Sequence, residues 1–226
     1  LAVEFSPVVL ERFGMDRALK VLHRIAIPVV IAGVVLSTLH QSSMGSMFLI
    51  LPQKIHPLWS TTLLPVFFLI SSVAVGLCMT VVASLYCARL FKKSLDHWLL
   101  ADLGRAASLV LFLYGALKIV DVSMRGAWAS LWSPPWLGIL FLSEVGLGVF
   151  LPAVLLSRRS VRQRPLFLGV SCLLPLAGVV LNRLTVSWFS MVPYTGPHYV
   201  PHWMELAVSG TLLTLLMVLF ALAVRF

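Results

Sequence analysis

TTLLPVFFLISSVAVGLCMTVVASLYCA, residues 61–88, carries no charged side chain over its whole length. A helix needs about 20 mostly apolar residues to cross the hydrocarbon of a bilayer, and this stretch is longer than that. It belongs to a charge-free run over 55–88, and similar runs cover 25–53, 126–143, 166–182, 184–204 and 206–224. Turn residues divide these runs into six predicted transmembrane helices at 19–41, 62–90, 98–122, 136–157, 165–190 and 203–225. The sequence therefore predicts an all-α integral membrane protein.

Composition supports this. Of 226 residues, 60% are hydrophobic and 11% charged, with mean hydropathy +1.00, whereas a soluble domain has roughly a quarter of its residues charged. A water-soluble globule, a disordered tail and a disulfide scaffold are all excluded. Three cysteines without a CxxC pair exclude a cysteine-built zinc or iron–sulfur site within the chain. Cys78, Cys87 and Cys172 read as packing residues. The opening Leu1-Ala2-Val3-Glu4-Phe5 reads as the tail of an earlier hydrophobic segment. Residues 1–17 are accordingly expected to be a helix stub and turn, and 18–226 the six-helix region of a longer protein.

The net charge of +9 is distributed as a topology signal rather than as a nucleic-acid surface. Arg12, Arg17, Lys20, Arg24, Arg89, Lys92, Lys93, Arg158, Arg159, Arg162, Arg164 and Arg225 fall on one side, while the opposite connections hold only Lys54 and Arg125. Excess Lys and Arg mark cytoplasmic loops, so the basic side is expected to face the cytoplasm. Trp59, Trp128, Trp132, Trp136, Trp188 and Trp203 fall near the other interface, where indole rings favour the headgroup level. No two glycines are four apart, so the GxxxG packing motif is absent. Pro28, Pro65, Pro152 and Pro175 lie inside predicted spans.

Ionisable groups within the membrane are costly and face a protein interior or a water-filled cavity. Asp102 and Arg105 share a face near the inner end of the third span, and Lys118 and Asp121 do so near its outer end. Glu144 lies about 12 Å below the outer surface at 1.5 Å per residue. Arg183, beside Asn182, and Glu205 occupy similar depths in the fifth and sixth spans. Two readings stand: ion pairs that orient the bundle, or a polar cavity that binds a headgroup or moves protons.

His23 and His40 are about 25 Å apart along one predicted helix. His97 is at the inner end of the third span, and His56, His198 and His202 lie in or beside outer connections. A haem held by two facing imidazoles is not expected within this chain, and no histidine spacing is specific for a metal.

One constellation is more specific. His40-Gln41-Ser42-Ser43-Met44-Gly45-Ser46 closes the first span and precedes His56-Pro57-Leu58-Trp59. With Val3-Glu4-Phe5-Ser6-Pro7, Leu181-Asn182-Arg183-Leu184 and Tyr199-Val200-Pro201-His202-Trp203-Met204-Glu205, it closely resembles the NrfD/PsrC (polysulfide reductase membrane subunit) family. Within that family it is most similar to the HybB-like membrane subunits of periplasm-facing nickel–iron hydrogenases. The resemblance runs over essentially the whole chain, which would be the C-terminal six helices of a ten-helix, two-bundle protein.

The resemblance implies a membrane anchor in the bacterial or archaeal cytoplasmic membrane. It would pass electrons between a periplasmic iron–sulfur subunit, joined to catalytic subunits of hydrogenase type, and menaquinone or ubiquinone. Quinone would be an exchangeable substrate, with no covalently bound cofactor, no haem and no nucleic-acid partner. Quinone reduction takes up two electrons and two protons, and its carbonyls want hydrogen-bond donors. A histidine at a helix end can donate and relay protons. His40, Ser43, His56 and Asp121 are therefore the candidate quinone-binding residues. Lys118, Glu144, Arg183, Glu205, Asp102 and Arg105 are the candidate proton relay. An ion or solute transporter without a redox role, a purely structural anchor and a subunit of a sulfur-metabolism or cytochrome-linked respiratory complex are the competing readings.

Overall fold

The structure, a computed structural model, describes residues 16–91, 96–195 and 202–225. Lys92, Lys93, His198 and the family-like stretches at 3–7 and 199–201 lie outside the described residues. The helices in chain order are α1 Asp16–Met47, α2 Leu64–Phe91, α3 His97–Met124, α4 Pro135–Val145, α5 Leu151–Ser157, α6 Arg159–Arg162, α7 Pro165–Leu184, α8 Val192–Thr195 and α9 Trp203–Arg225. A π turn at Gly146–Phe150 joins α4 to α5, and another at Thr185–Phe189 extends α7. No strand occurs among the described residues.

Among the described residues, five helices are long and apolar enough to cross a membrane: Ile27–Ile50, Leu64–Leu90, His97–Met124, Pro135–Ser157 and Pro165–Tyr194. Trp203–Leu219 adds a shorter apolar helix. The chain is an all-α integral membrane protein.

Five of the six predicted spans coincide with these helices; the sixth, 203–225, falls on α9, whose described apolar stretch is shorter, and the first span differs in an informative way. α1 continues to Met47 rather than ending near 41, so Ser42 and Ser43 lie within the helix instead of capping it. Ser46 satisfies its hydroxyl by donating to the Ser42 carbonyl at 3.2 Å, a local bond that a helix interior accepts.

Contacts divide the chain into two units, residues 38–196 and the pair of segments 1–37 and 197–226. In the second, residues 27, 31, 34 and 35 of α1 and 212, 213 and 216 of α9 expose their apolar side chains.

In the 38–196 unit, α2 packs on α3 and α7, and α3 packs on α5. Its centre is built from small side chains: Ala74, Cys78, Ala107, Ala153 and Cys172 are all 0% exposed. Lipid tails give helices no hydrophobic drive to associate, so close backbone approach and dispersion must hold them. One close backbone approach lies between helices of opposite direction. A Cβ placed on Gly148 would meet the Gly178 Cα at 2.7 Å. Gly45 does the same for the end of α1, where a Cβ would meet the Pro65 Cα at 2.9 Å and the Phe68 ring at 3.1 Å. The absence of GxxxG thus does not mean an absence of glycine-mediated packing; here single glycines serve on separate helices.

The first π turn has a local cause. Pro152 has no N–H to offer the carbonyl four residues back, and its ring crowds that carbonyl; the helix widens over Gly146–Phe150 just before it. For the second π turn, Ser190 donates to the Thr185 carbonyl at 2.8 Å, five residues back.

The connections at 48–63, 125–134 and 190–191 interlock at one end of this unit. The His56 N–H donates to the Ser190 carbonyl at 3.2 Å, and its Nε2 to the Ser133 carbonyl at 2.9 Å. Arg125 donates through Nη1 to the carbonyls of Pro57 at 2.6 Å and Ser60 at 2.8 Å. Loops that carry buried carbonyls must satisfy them internally, and here they do so by pairing with one another.

Candidate functional site

Directly beneath this interlocked end lies a buried polar network. The glycine crossing sets it up. Glu144 precedes Gly148 by four residues and Asn182 follows Gly178 by four. Because α4 and α7 run in opposite directions, both side chains stand about one turn (~5.4 Å) from the crossing, on the same side of it. The Asn182 amide donates to Glu144 Oε1 at 2.8 Å. Lys118, from α3, forms an ion pair with the same oxygen. The Trp59 indole N–H donates to Oε2 at 3.0 Å. Glu144, at 1% exposure, is thereby held by three donors from three separate segments. An ion buried in low dielectric persists only with such compensation.

The network continues in two directions. Lys118 Nζ lies 3.4 Å from the Tyr114 hydroxyl and 5.3 Å from the centre of the Phe141 ring. Arg183 donates to Asn182 Oδ1 at 3.2 Å, to the Phe68 carbonyl at 3.3 Å and to Ser71 Oγ at 3.0 Å. Its guanidinium carbon stands 3.3 Å over the Phe68 ring. Gly45 packs close to that ring. A continuous contact therefore runs from the end of α1 through Phe68 and Arg183 to Asn182 and Glu144.

Asp121 belongs to a neighbouring group. Its Oδ1 accepts from Thr61 Oγ1 at 2.7 Å and its Oδ2 from Arg125 Nε at 3.0 Å. A cavity of about 10 Å³ lies between the two groups, bordered by Thr61, Tyr114, Lys118, Asp121 and Asn182. That volume suits about one water, and no ring fits inside it.

The structure thus brings Lys118, Glu144 and Arg183 into one network and places Asp121 beside it. His40 and Ser43 are exposed near the end of α1. His56 is 1% exposed, with Nε2 on the Ser133 carbonyl and Nδ1 receiving the Leu58 N–H at 3.4 Å, so both its ring nitrogens are engaged in holding loops. Asp102 and Arg105 are exposed near the start of α3, and no ion pair joins them. Glu205 belongs to the other unit.

Sequence reasoning missed several participants. Trp59 was expected in the interfacial belt, yet it is 1% exposed and bonded to Glu144. Thr61 and Tyr114 carried no signal, and Arg125 figured only in the topology count. The same-face spacing of Lys118 and Asp121 suggested a pair, but each finds a different partner, Glu144 and Arg125. The four-residue spacing of Asp121 and Arg125 was the available clue.

Among the described side chains of the 38–196 unit, no two histidines face each other. His56 has no free nitrogen, and His97 begins α3 while His40 lies near the far end of α1. This donor set does not fit a haem held by two imidazoles. No group of three or more His, Cys, Asp or Glu able to hold a metal occurs among the described residues.

The family model "Polysulphide reductase, NrfD" matches residues 5–192. A protein of Nitratidesulfovibrio vulgaris is 37% identical over 95% of this chain and 57% of its own length. The "Probable Ni/Fe-hydrogenase 2 b-type cytochrome subunit" of Escherichia coli K12 is 32% identical over 92% of this chain and 54% of its own. The "Menaquinone reductase, integral membrane subunit" of N. vulgaris is 23% identical over 100% of this chain and 60% of its own. The chain therefore spans between 54% and 60% of the length of these relatives. No solved structure matches it.

Proposed function

The chain belongs to the polysulphide reductase NrfD family, and on that premise we propose that it is the quinone-contacting membrane subunit of a multi-subunit oxidoreductase. Electrons would pass between an iron–sulfur partner on the extracytoplasmic side and the quinone pool of the cytoplasmic membrane. A hydrogenase-type catalytic subunit is the preferred partner, in line with the printed name of the E. coli relative. The basic loops would face the cytoplasm.

The observation that carries this reading is the contact chain from the end of α1 to the buried acid. A quinone carbonyl needs a donor that it can reach from lipid, and His40 and Ser43 are exposed. The carbonyl also needs a proton source as charge arrives. About one and a half turns of α1 and one aromatic ring separate His40 from Arg183, through Gly45 and Phe68. Lys118, Glu144 and Tyr114 then form a proton-holding group out of contact with solvent. In this reading the headgroup docks on the surface of α1 with His40 as its proton donor, and the network beneath sets the local potential. Asp121 orders the loops beside it through Thr61 and Arg125. His56 serves the same end through Ser133.

The test is His40→Ala in the full-length protein within its assembled complex. A positioned proton donor contributes about 100-fold or more to a rate, so quinone-linked turnover should fall by that order while assembly and partner content stay normal. Normal assembly with unchanged turnover would remove His40 from the site. Transport activity in the absence of any redox partner would replace the reading with that of a transporter.

A further inference from the structure

A groove of about 540 Å³ opens at the other end of the 38–196 unit, between the end of α2, the start of α3 and the start of α7. Its floor is apolar. Gly169 lies opposite Leu85, and a Cβ there would meet Leu85 Cδ1 at 3.2 Å. Pro165 and Tyr86 form its walls. Among the described residues, its ionisable rim groups besides Tyr86 are Arg89 and His97, and no acid lines it. The turn leading into α7 adds Arg158, Arg159, Arg162 and Arg164 nearby in sequence.

We infer that this groove is a specific site for an anionic phospholipid, with an acyl chain along Leu85 and Gly169 and the phosphate between Arg89 and His97. The charge pattern favours that occupant over others. A span end is at headgroup depth, where an apolar slot accepts a chain and a cationic rim attracts a phosphodiester; basic pockets between helices bind anionic headgroups in this way. A neutral quinone head could accept a hydrogen bond from Arg89 but has no charge to pair with it. The site lies at the opposite end of the unit from the Glu144 network and does not rest on the quinone reading.

The experiment is native mass spectrometry of the full-length protein in detergent, titrated with dioleoyl phosphatidylglycerol or dioleoyl phosphatidylcholine. One phosphatidylglycerol should be retained per chain, with an affinity about fivefold or more above that of phosphatidylcholine, the order expected for one basic group near a membrane surface. Arg89→Gln with His97→Asn should abolish the preference. Gly169→Leu, which fills the floor, should reduce retention of both lipids. Equal retention of the two lipids overturns the inference, as does a preference untouched by the rim substitutions. Displacement of phosphatidylglycerol by menaquinone-4 at equal concentration would assign the groove to quinone and also overturn it. Should Gly169→Leu fail to fold, the rim variant alone decides.

Discussion

Glu144 and Asn182 face each other one helical turn from the point where Gly148 and Gly178 touch. Their hydrogen bond of 2.8 Å follows from that crossing, because any side chain at either glycine would hold the two backbones apart. Packing of small residues and placement of a buried charge are here one geometric fact.

Gly178→Val should therefore damage both. Its Cβ would lie 2.5 Å from the Gly148 Cα, and backbone cannot yield as a side-chain tip can. Overpacking costs about 1–3 kcal/mol. Thermal denaturation in detergent should show a lowered midpoint, with Gly178→Ala affected in the same direction. An unaltered midpoint for both variants would contradict the contact.

Removing one member of the ion pair should cost more than removing both. Lys118→Met leaves Glu144 buried beside Asn182 and Trp59 without its cation, and breaking a buried pair costs about 3–5 kcal/mol. Adding Glu144→Gln removes the stranded charge and should recover much of the loss. Unfolding titrations of the two single variants and the double variant measure the coupling. Strict additivity would mean that the pair does not interact.

Arg125→Gln should loosen the interlocked connections without melting the bundle. It withdraws donors from the solvent-accessible Pro57 and Ser60 carbonyls and from Asp121, and of these only buried Asp121 is left short of a donor away from water, at about 1–3 kcal/mol. Hydrogen exchange should quicken over 48–63 and 125–134 while the middle of α2 and α3 stays protected. Uniform acceleration everywhere would point instead to global destabilisation.

Arg183→Lys keeps the charge but loses the planar stack on Phe68 and the fork of donors. Stability should drop by about 1–2 kcal/mol, the scale of a desolvated cation–π contact with a hydrogen bond. Methionine at the same position should do worse, since Asn182 and Ser71 then lose a partner outright. Equal midpoints for wild type and the lysine variant would show that the stack contributes nothing.

Much of this fold is legible in the sequence because lipid is an unforgiving solvent: a charge-free run of the right length has few alternatives. Depth is legible too, since rise per residue is fixed, and Lys118, Glu144 and Arg183 converge as their depths suggest. Azimuth is not. Which face of a helix meets which neighbour depends on crossings such as Gly148–Gly178, and nothing in a single sequence pairs those two positions. For that reason Asp121 was matched with the wrong cation, and Trp59, typical of an interfacial anchor by type and position, turned out to face Glu144. The length of α1 was underestimated for another reason: Ser42, Ser43 and Gly45 resemble a helix stop, but Ser46 bonds back along the helix and Gly45 is needed for packing.

The π turn at Gly146–Phe150 has a consequence for how such a bundle can change. A helix that bonds five residues back holds one residue more than an α-helix would in the same turn. Deleting a single residue there lets the helix tighten to ordinary α geometry while the segments on either side keep their facing. Glu144 would stay turned toward Lys118 and Asn182, whereas the same deletion in a regular stretch of α3 would swing one part against the other by about 100°. The bulge is thus the one place where this span can lose a codon without reassigning its inward-facing chemistry.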